Sequence, residues 1–350
     1  MSTNTEAPKH PPAADGVVVG IDVGGTKTNA TVVDLDGRFL VDRMVEVPSR
    51  VLEGPDGAIA AVGAAIAHVL DTCGLQRSAV RSVGLDTPGP ASATGVISAR
   101  GSTNFPDRAW WSFDFRAAVE HHLQLPVVYN NDGNAAALYA HTVLFGDDAR
   151  NRSSVSAIVG TGLGGGVVEA GRVVRGASGM AGELGHVQVP LDGVLAEGQP
   201  APRCGCGLLS DLESVASLTA IETNLLPFWL TRYPDHPLAA AASPREAALG
   251  VRSYGERGDE MALKIFEQQA LAIGRMFTLA SNFTDPDAYF VGGGVIEAAP
   301  AFREWFMATV QAGTSLRQEQ AEVAIFALVP ELDMAGARGS ALAALESLRG

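Results

Sequence analysis

The chain reads as a layered α/β protein built in two domains. Three observations carry that reading. Apolar β-branched runs alternate with Ala-rich amphipathic stretches of helical length. The 350 residues give room for two domains, and 47% hydrophobic with 18% charged residues suits large buried cores. A glycine-rich hairpin near the start returns as a second glycine-rich hairpin in the second half.

Taken in order, Gly16 to Gly20 is a first strand and Ala30 to Val33 a second. Residues 21 to 29, Ile-Asp-Val-Gly-Gly-Thr-Lys-Thr-Asn, form the tight turn between them. Phe39 to Val47 reads as a third strand, 57 to 73 as an Ala-rich helix, and Val80 to Leu85 as a buried parallel strand. Thr87-Pro88-Gly89-Pro90 breaks the chain at that strand's carboxyl end, where open α/β sheets place their ligands. Residues 114 to 123 suit a helix. Pro126 to Tyr129 is a short strand that delivers Asn130, Asn131 and Asp132 into a turn before a helix from Asn134 to Leu144.

The change of domain falls here, giving a first domain of residues 17 to 131 and a second of 132 to 334. The second repeats the hairpin theme at Val155 to Val174, then has helices at about 213 to 226, 244 to 256 and 259 to 284 and a strand at Ala288 to Val291. Residues 227 to 243 read as a proline-containing loop. The last helix, within 335 to 350, carries Gly336 and Gly339 and returns to the first domain. Residues 1 to 16 read as a disordered tail.

Gly24 and Gly25 allow positive φ angles and leave no Cβ in the way, so successive amides and the Thr26 hydroxyl, with Lys27 in the same turn, converge on a phosphate. Asp22 beside that phosphate would repel it unless Mg²⁺ lies between. The competing reading is an Asp-containing hairpin turn that binds nothing. Gly160-Thr161-Gly162-Leu163-Gly164-Gly165-Gly166 is a second such tip, and together the two imply a clamp. Neither is a P-loop, because the Gly-Lys-Ser/Thr ending is absent. A third cluster around Gly293 would offer a flat surface to an adenine ring.

A net charge of −14 argues against a nucleic-acid partner, whose phosphates need a basic footprint. Three cysteines, two of them in one Cys-x-Cys, speak against a disulfide framework and for a reducing compartment. No apolar stretch reaches transmembrane length, and the start lacks the apolar core of a signal peptide. The expectation is a cytoplasmic protein without a membrane partner.

Asp132, at a strand end, suits a general base that takes a proton from an alcohol; equally, Asp at this place caps a helix. The order Asp-x-Gly-Gly-Thr-Lys, Asn-Asp-Gly-Asn, Gly-Thr-Gly-x-Gly-Gly-Gly, Gly-Glu-Leu-Gly-His and Cys-Gly-Cys-Gly resembles the ROK family of sugar kinases from Val17 to about Leu348. That resemblance implies a two-domain actin-like, hexokinase-like ATPase fold with an interdomain cleft, ATP with Mg²⁺ as donor, and a homodimer. It also implies Asp132 as catalytic base, with Asn104, Asn131, Asp132, Glu183, His186 and Glu213 around a hexose.

His186, Cys204 and Cys206 supply three of four tetrahedral zinc ligands. The family pattern continues with a third Cys, where this chain has Asp211; zinc accepts a carboxylate, so a structural site of His186, Cys204, Cys206 and Asp211 is chemically allowed. The alternative is two buried thiols and a satisfied histidine. The expected function is ATP-dependent phosphorylation of a hexose at its 6-hydroxyl, glucose foremost. Its alternatives are another hexose or an N-acetylhexosamine, polyphosphate as donor, a non-catalytic sugar binder, or a sugar-responsive regulator. Against the regulator, about 16 residues precede the first strand, too few for a helix-turn-helix.

Overall fold

The structure, a computed structural model, describes residues 16–89, 91–99 and 105–349. Residues 1–15 of the expected tail, Pro90 and Asn104 lie outside the described residues. The chain divides into two compact units: one holds the chain up to Ala140, Arg175–Ala181 and the stretch from Asp333 on, the other His141–Val174 and Gly182–Leu332.

In the first unit β1 (Val17–Val23) and β2 (Lys27–Asp34) form the antiparallel hairpin, and β3 (Val45–Pro48) extends it. β4 (Val80–Thr87) lies parallel to β1, and β5 (Val127–Asn131) parallel to β4, so the sheet runs β3-β2-β1-β4-β5. The third strand is shorter than expected, because Phe39 makes only an isolated bridge to Val33 before the chain resumes pairing at Val45.

One face of this sheet packs on the helix Pro55–Thr72, whose buried Ala58, Val62, Ala65, Ile66 and Val69 recur at helical spacing. The helix Phe115–Leu123 packs on the same cluster, with Asp114 Oδ1 accepting from Ala117 N at 2.9 Å as its cap. Trp110 is fully buried there, its Nε1 donating to Val51 O at 3.0 Å.

The opposite face meets the C-terminal helix Leu332–Arg349 at backbone distance. A Cβ on Gly20 would lie 2.0 Å from Ala337 O, and one on Gly84 1.9 Å from Ser340 O. Gly339 is equally close to Ala135 O, on the helix Asp132–Phe145. That contact holds the first half of the Asp132–Phe145 helix in this unit, so the division falls after Ala140 and not at 131/132.

The second unit repeats the sheet plan. β6 (Ser154–Val159) and β7 (Leu163–Glu169) are an antiparallel hairpin continued by β8 (Arg172–Val173), and β9 (Ala288–Gly293) and β10 (Ile325–Leu328) add in parallel, in the order β10-β9-β6-β7-β8. The helix Glu260–Thr284 runs through its core and meets Pro300–Gly313 closely enough that a Cβ on Gly274 would lie 2.6 Å from Val310 O.

Two sequence expectations change here. Residues 213–217 are turn, and helical structure begins at Leu218, because Ser217 Oγ caps it by accepting from Ala220 N at 2.9 Å. The expected loop after 226 opens instead as the helix Leu226–Arg232, since Pro227 sits in the first turn, where a missing N–H costs nothing.

His141 is fully buried between Ser154 Oγ (2.9 Å from Nδ1) and Ala149 O (2.8 Å from Nε2), and burial lowers its pKa. A lowered folded-state value means the unfolded chain binds the proton first. The neutral ring's contribution is complete above about pH 6.5 and shrinks as pH falls below it. Denaturant titrations at pH 7.5 and 5.5 should therefore show a loss at the lower pH that is smaller in His141→Gln. A second expectation concerns packing: Gly84→Ala, whose methyl has no room against Ser340, should lose about 3 kcal/mol or more in the same assay.

Candidate active site

In the first unit, strand register lines up four polar residues. Asn29 pairs with Asp22, Asp22 with Asp86, and Asp86 with Asn130, at the carboxyl ends of β1, β4 and β5. Asn29 Nδ2 donates to Asp22 Oδ2 at 3.1 Å, and Ser340 Oγ to Asp86 Oδ2 at 2.7 Å. Asp86 is completely buried. Burial first, and then the charge of Asp22, push its carboxyl well above the usual range, with Asp132 adding to the effect. Asp22 is raised too, by burial, against the lowering by its bonds to Asp86 and Asn29. Asp86 therefore holds a proton more readily than an ordinary carboxyl does.

Asp132 is the first residue of its helix. Asn131 Oδ1 accepts from Gly133 N at 2.9 Å and Asn134 N at 3.4 Å, and Asp132 Oδ1 from Gly133 N at 2.7 Å. Capping is thus led by Asn131. Beside it, Arg175 Nη2 donates to Asn130 Oδ1 at 3.0 Å; this half-buried guanidinium pairs with no carboxylate among the described residues.

The first glycine turn closes through Gly24 N to Lys27 O at 2.9 Å. Neither Gly24 nor Gly25 has a positive φ, contrary to expectation. Glycine suits position 24 for room, since a Cβ there would lie 3.2 Å from Lys27 O. Thr26 is exposed at the tip. Lys27 opens β2, and its Nζ pairs with Glu46 Oε2 at 2.6 Å on the surface, directed at that carboxylate.

In the second unit the turn itself is Gly160-Thr161-Gly162, closed by Gly160 N to Gly162 O at 2.9 Å. Gly164 lies within β7, opposite Ile158. The turn is held from one side by Leu218 N to Gly160 O (3.0 Å) and Thr219 N to Thr161 O (3.1 Å), and from below by Leu163 N to Glu213 Oε2 (2.8 Å). Against it opens a cavity of about 330 Å³ lined by Leu218, Ile221, Leu249, Phe302, Gly294 and Val295 among others. Gly293, at φ +97°, brings β9 so close that a Cβ would lie 1.8 Å from Val159 O.

Glu183, His186 and Glu213 gather in the same unit. Burial raises the Glu183 carboxyl, His186 lowers it, and Glu213 raises it further. Next to them His186, Cys204, Cys206 and Asp211 offer ligand atoms all within 4.8 Å of one another. Asp211 Oδ2 is 3.3 Å from His186 Nδ1 and 3.5 Å from Cys206 Sγ, while its Oδ1 accepts from Ser214 N at 2.9 Å. Cys204 Sγ is 3.9 Å from His186 Nδ1. Bonds of about 2.0–2.3 Å around a tetrahedral zinc put neighbouring ligands roughly 3.3–3.8 Å apart. This donor set fits zinc in type, and the 3.3, 3.5 and 3.9 Å separations lie close to that spacing.

The family model of the ROK family matches residues 18–347. The chain belongs to the ROK family. It is a sugar kinase, and its two α/β units are those of the actin-like, hexokinase-like ATPase fold. The glucokinase of Halalkalibacterium halodurans is 31% identical over 288 residues, 81% of this chain and 82% of that protein. The N-acetylmannosamine kinase of Escherichia coli O7:K1 is 29% identical over 331 residues, 93% and 98% of the two chains. A solved ROK family glucokinase from Streptomyces griseus, in complex with glucose and AMPPNP, matches with a TM-score of 0.68 at 25% identity over 95% of this chain and 100% of that one. No helix among the described residues is long and apolar enough to cross a membrane.

Asp86, Ser340 and Arg175 escaped the sequence reading. Asp86 did leave a signal: a carboxylate at the end of an otherwise apolar strand, just before Thr87-Pro88-Gly89. Ser340 and Arg175 left none, because their partners lie 254 and 45 residues away.

Proposed function

We propose that this sugar kinase transfers the terminal phosphoryl group of ATP to the 6-hydroxyl of a hexose, glucose foremost. The observation that carries the donor is the cavity beside the Gly160-Thr161-Gly162 turn: its apolar walls suit a purine, for which a polyphosphate chain has no use. The glucokinase relatives support the acceptor. Asp132 acts as base on the hydroxyl, and Asn131, Glu183, His186 and Glu213 would fix the sugar. The amides of the two glycine turns would hold phosphate oxygens.

Asp22, with a carboxylate at the mouth of the first turn and a hard oxygen donor, would hold Mg²⁺, which when bound offsets the charge of the phosphates. An N-acetylhexosamine is the second reading, favoured by the N-acetylmannosamine kinase relative.

A coupled ADP-release panel with glucose, mannose, fructose, N-acetylglucosamine and N-acetylmannosamine, run with ATP and with polyphosphate, tests the proposal. Glucose with ATP should give the highest kcat/KM; turnover of none of the sugars would end it. Asp132→Asn should lower kcat by at least about a hundredfold while glucose still binds in calorimetry. Near-normal turnover would remove Asp132 from the role of base.

We further propose a structural zinc at His186, Cys204, Cys206 and Asp211, where it would fasten the loop that precedes Glu213. Protein purified without chelators should carry close to one zinc per chain by metal analysis, and Asp211→Ala should carry much less.

A further inference from the structure

We infer that Glu213 is a positioning residue for the second phosphate turn and ties it to the His186, Cys204, Cys206 and Asp211 cluster, so that nucleotide affinity depends on the metal. The inference rests on the reading that the Gly160-Thr161-Gly162 turn receives the nucleotide's phosphates.

By resemblance Glu213 belongs to the sugar, yet one of its carboxylate oxygens is already engaged by the second turn. Oε2 accepts from Leu163 N at 2.8 Å, the amide that follows the turn, and Oε1 lies 3.5 Å from Cys204 Sγ. A Cβ on Gly162 would sit 2.4 Å from Oε2, so glycine at 162 makes room for this carboxylate beneath the turn. The main chain of Glu213 is equally fixed: its N–H donates to Gly185 O at 2.8 Å, and its C=O accepts from Ser217 Oγ at 2.8 Å.

The stretch from Asp211 to Thr219 thus runs from the cluster to the turn without a break. Asp211 supplies a ligand oxygen, Glu213 takes the Leu163 amide, Leu218 N donates to Gly160 O, and Thr219 N donates to Thr161 O. A metal that fixes Asp211 therefore fixes the cluster end of the strap whose other end, at Leu218 and Thr219, sets the turn. Without it, the cluster's end is held by hydrogen bonds alone, and the turn's amides lose their preset aim.

The test is calorimetric titration of the full chain with ADP and, separately, with glucose. It compares zinc-loaded with chelator-stripped protein, in the native chain and in Glu213→Leu and Glu213→Gln. Stripping should weaken ADP binding in the native chain by about tenfold, the loss of one well-placed support. Glu213→Leu should lose a similar factor and respond little to stripping. Glu213→Gln keeps an acceptor for Leu163 N–H and should stay within about threefold of the native chain when loaded.

Equal ADP affinity in loaded and stripped native protein overturns the inference, as does a chain that takes up no zinc. A Glu213→Leu protein that binds ADP normally and loses only glucose also overturns it. The loaded-against-stripped comparison needs no variant, so a variant that fails to fold leaves the test intact. Failure of the kinase reading would show separately, as absent ADP release in the hexose panel with ADP binding unchanged.

Discussion

Backbone contact at glycine is the constraint on which both units depend. In the first, Gly20 and Gly84 let the C-terminal helix lie against β1 and β4 with nothing between strand and helix backbone. Only at that distance does Ser340 reach Asp86, and only then does Gly336 pass Asp22, where an added Cβ would be 3.2 Å from the carboxyl carbon. Burying two neighbouring carboxyl groups is costly unless hydrogen bonds and a shared proton offset the repulsion. The helix contributes the hydrogen bond, and its cover explains why Asp86 is so strongly shifted toward the protonated form.

The second unit uses the same device to different effect. Gly293 brings β9 against Val159, and Gly162 admits the Glu213 carboxylate under the turn. The first contact sets the floor of the cavity through Gly294 and Val295; the second aims the turn. A one-turn widening of the helix at Ile221–Leu225 follows directly, and Ile221 lines the same cavity. Such π-type turns store local irregularity near sites that bind ligands. The supports of the turn and two residues of the cavity wall, Leu218 and Ile221, therefore come from one short run of chain, Glu213 to Leu225.

The sequence made the hairpins and the strands visible, because period-two apolar runs bounded by glycine depend on neighbours only. It made the Cys-x-Cys and the Asp211 substitution visible for the same reason. What it concealed depends on distant partners. The role of glycine at 24 and at 162 is set by Lys27 O and by Glu213, so steric room and not a positive φ is what these positions require. Gly164 looks like turn by composition, yet it pairs with Ile158 in the ladder. Lys27 sits in the motif, but its direction is decided by Glu46, brought alongside by β3. Asp86 was legible only as an odd charge in an apolar strand.

The pair Asn131-Asp132 shows how a helix start divides labour between adjacent side chains. Asn131 Oδ1 is spent on the Gly133 and Asn134 amides, so the chemistry left to this side chain is that of its amide donor. Asp132 is an acceptor when ionised, and the first turn of a helix favours the anion. One residue is thus suited to donate to a sugar oxygen and the next to accept a hydroxyl proton. Exchanging them would reverse both polarities while leaving the helix capped. Capping alone is therefore indifferent to their order, whereas the proposed hydroxyl chemistry is not.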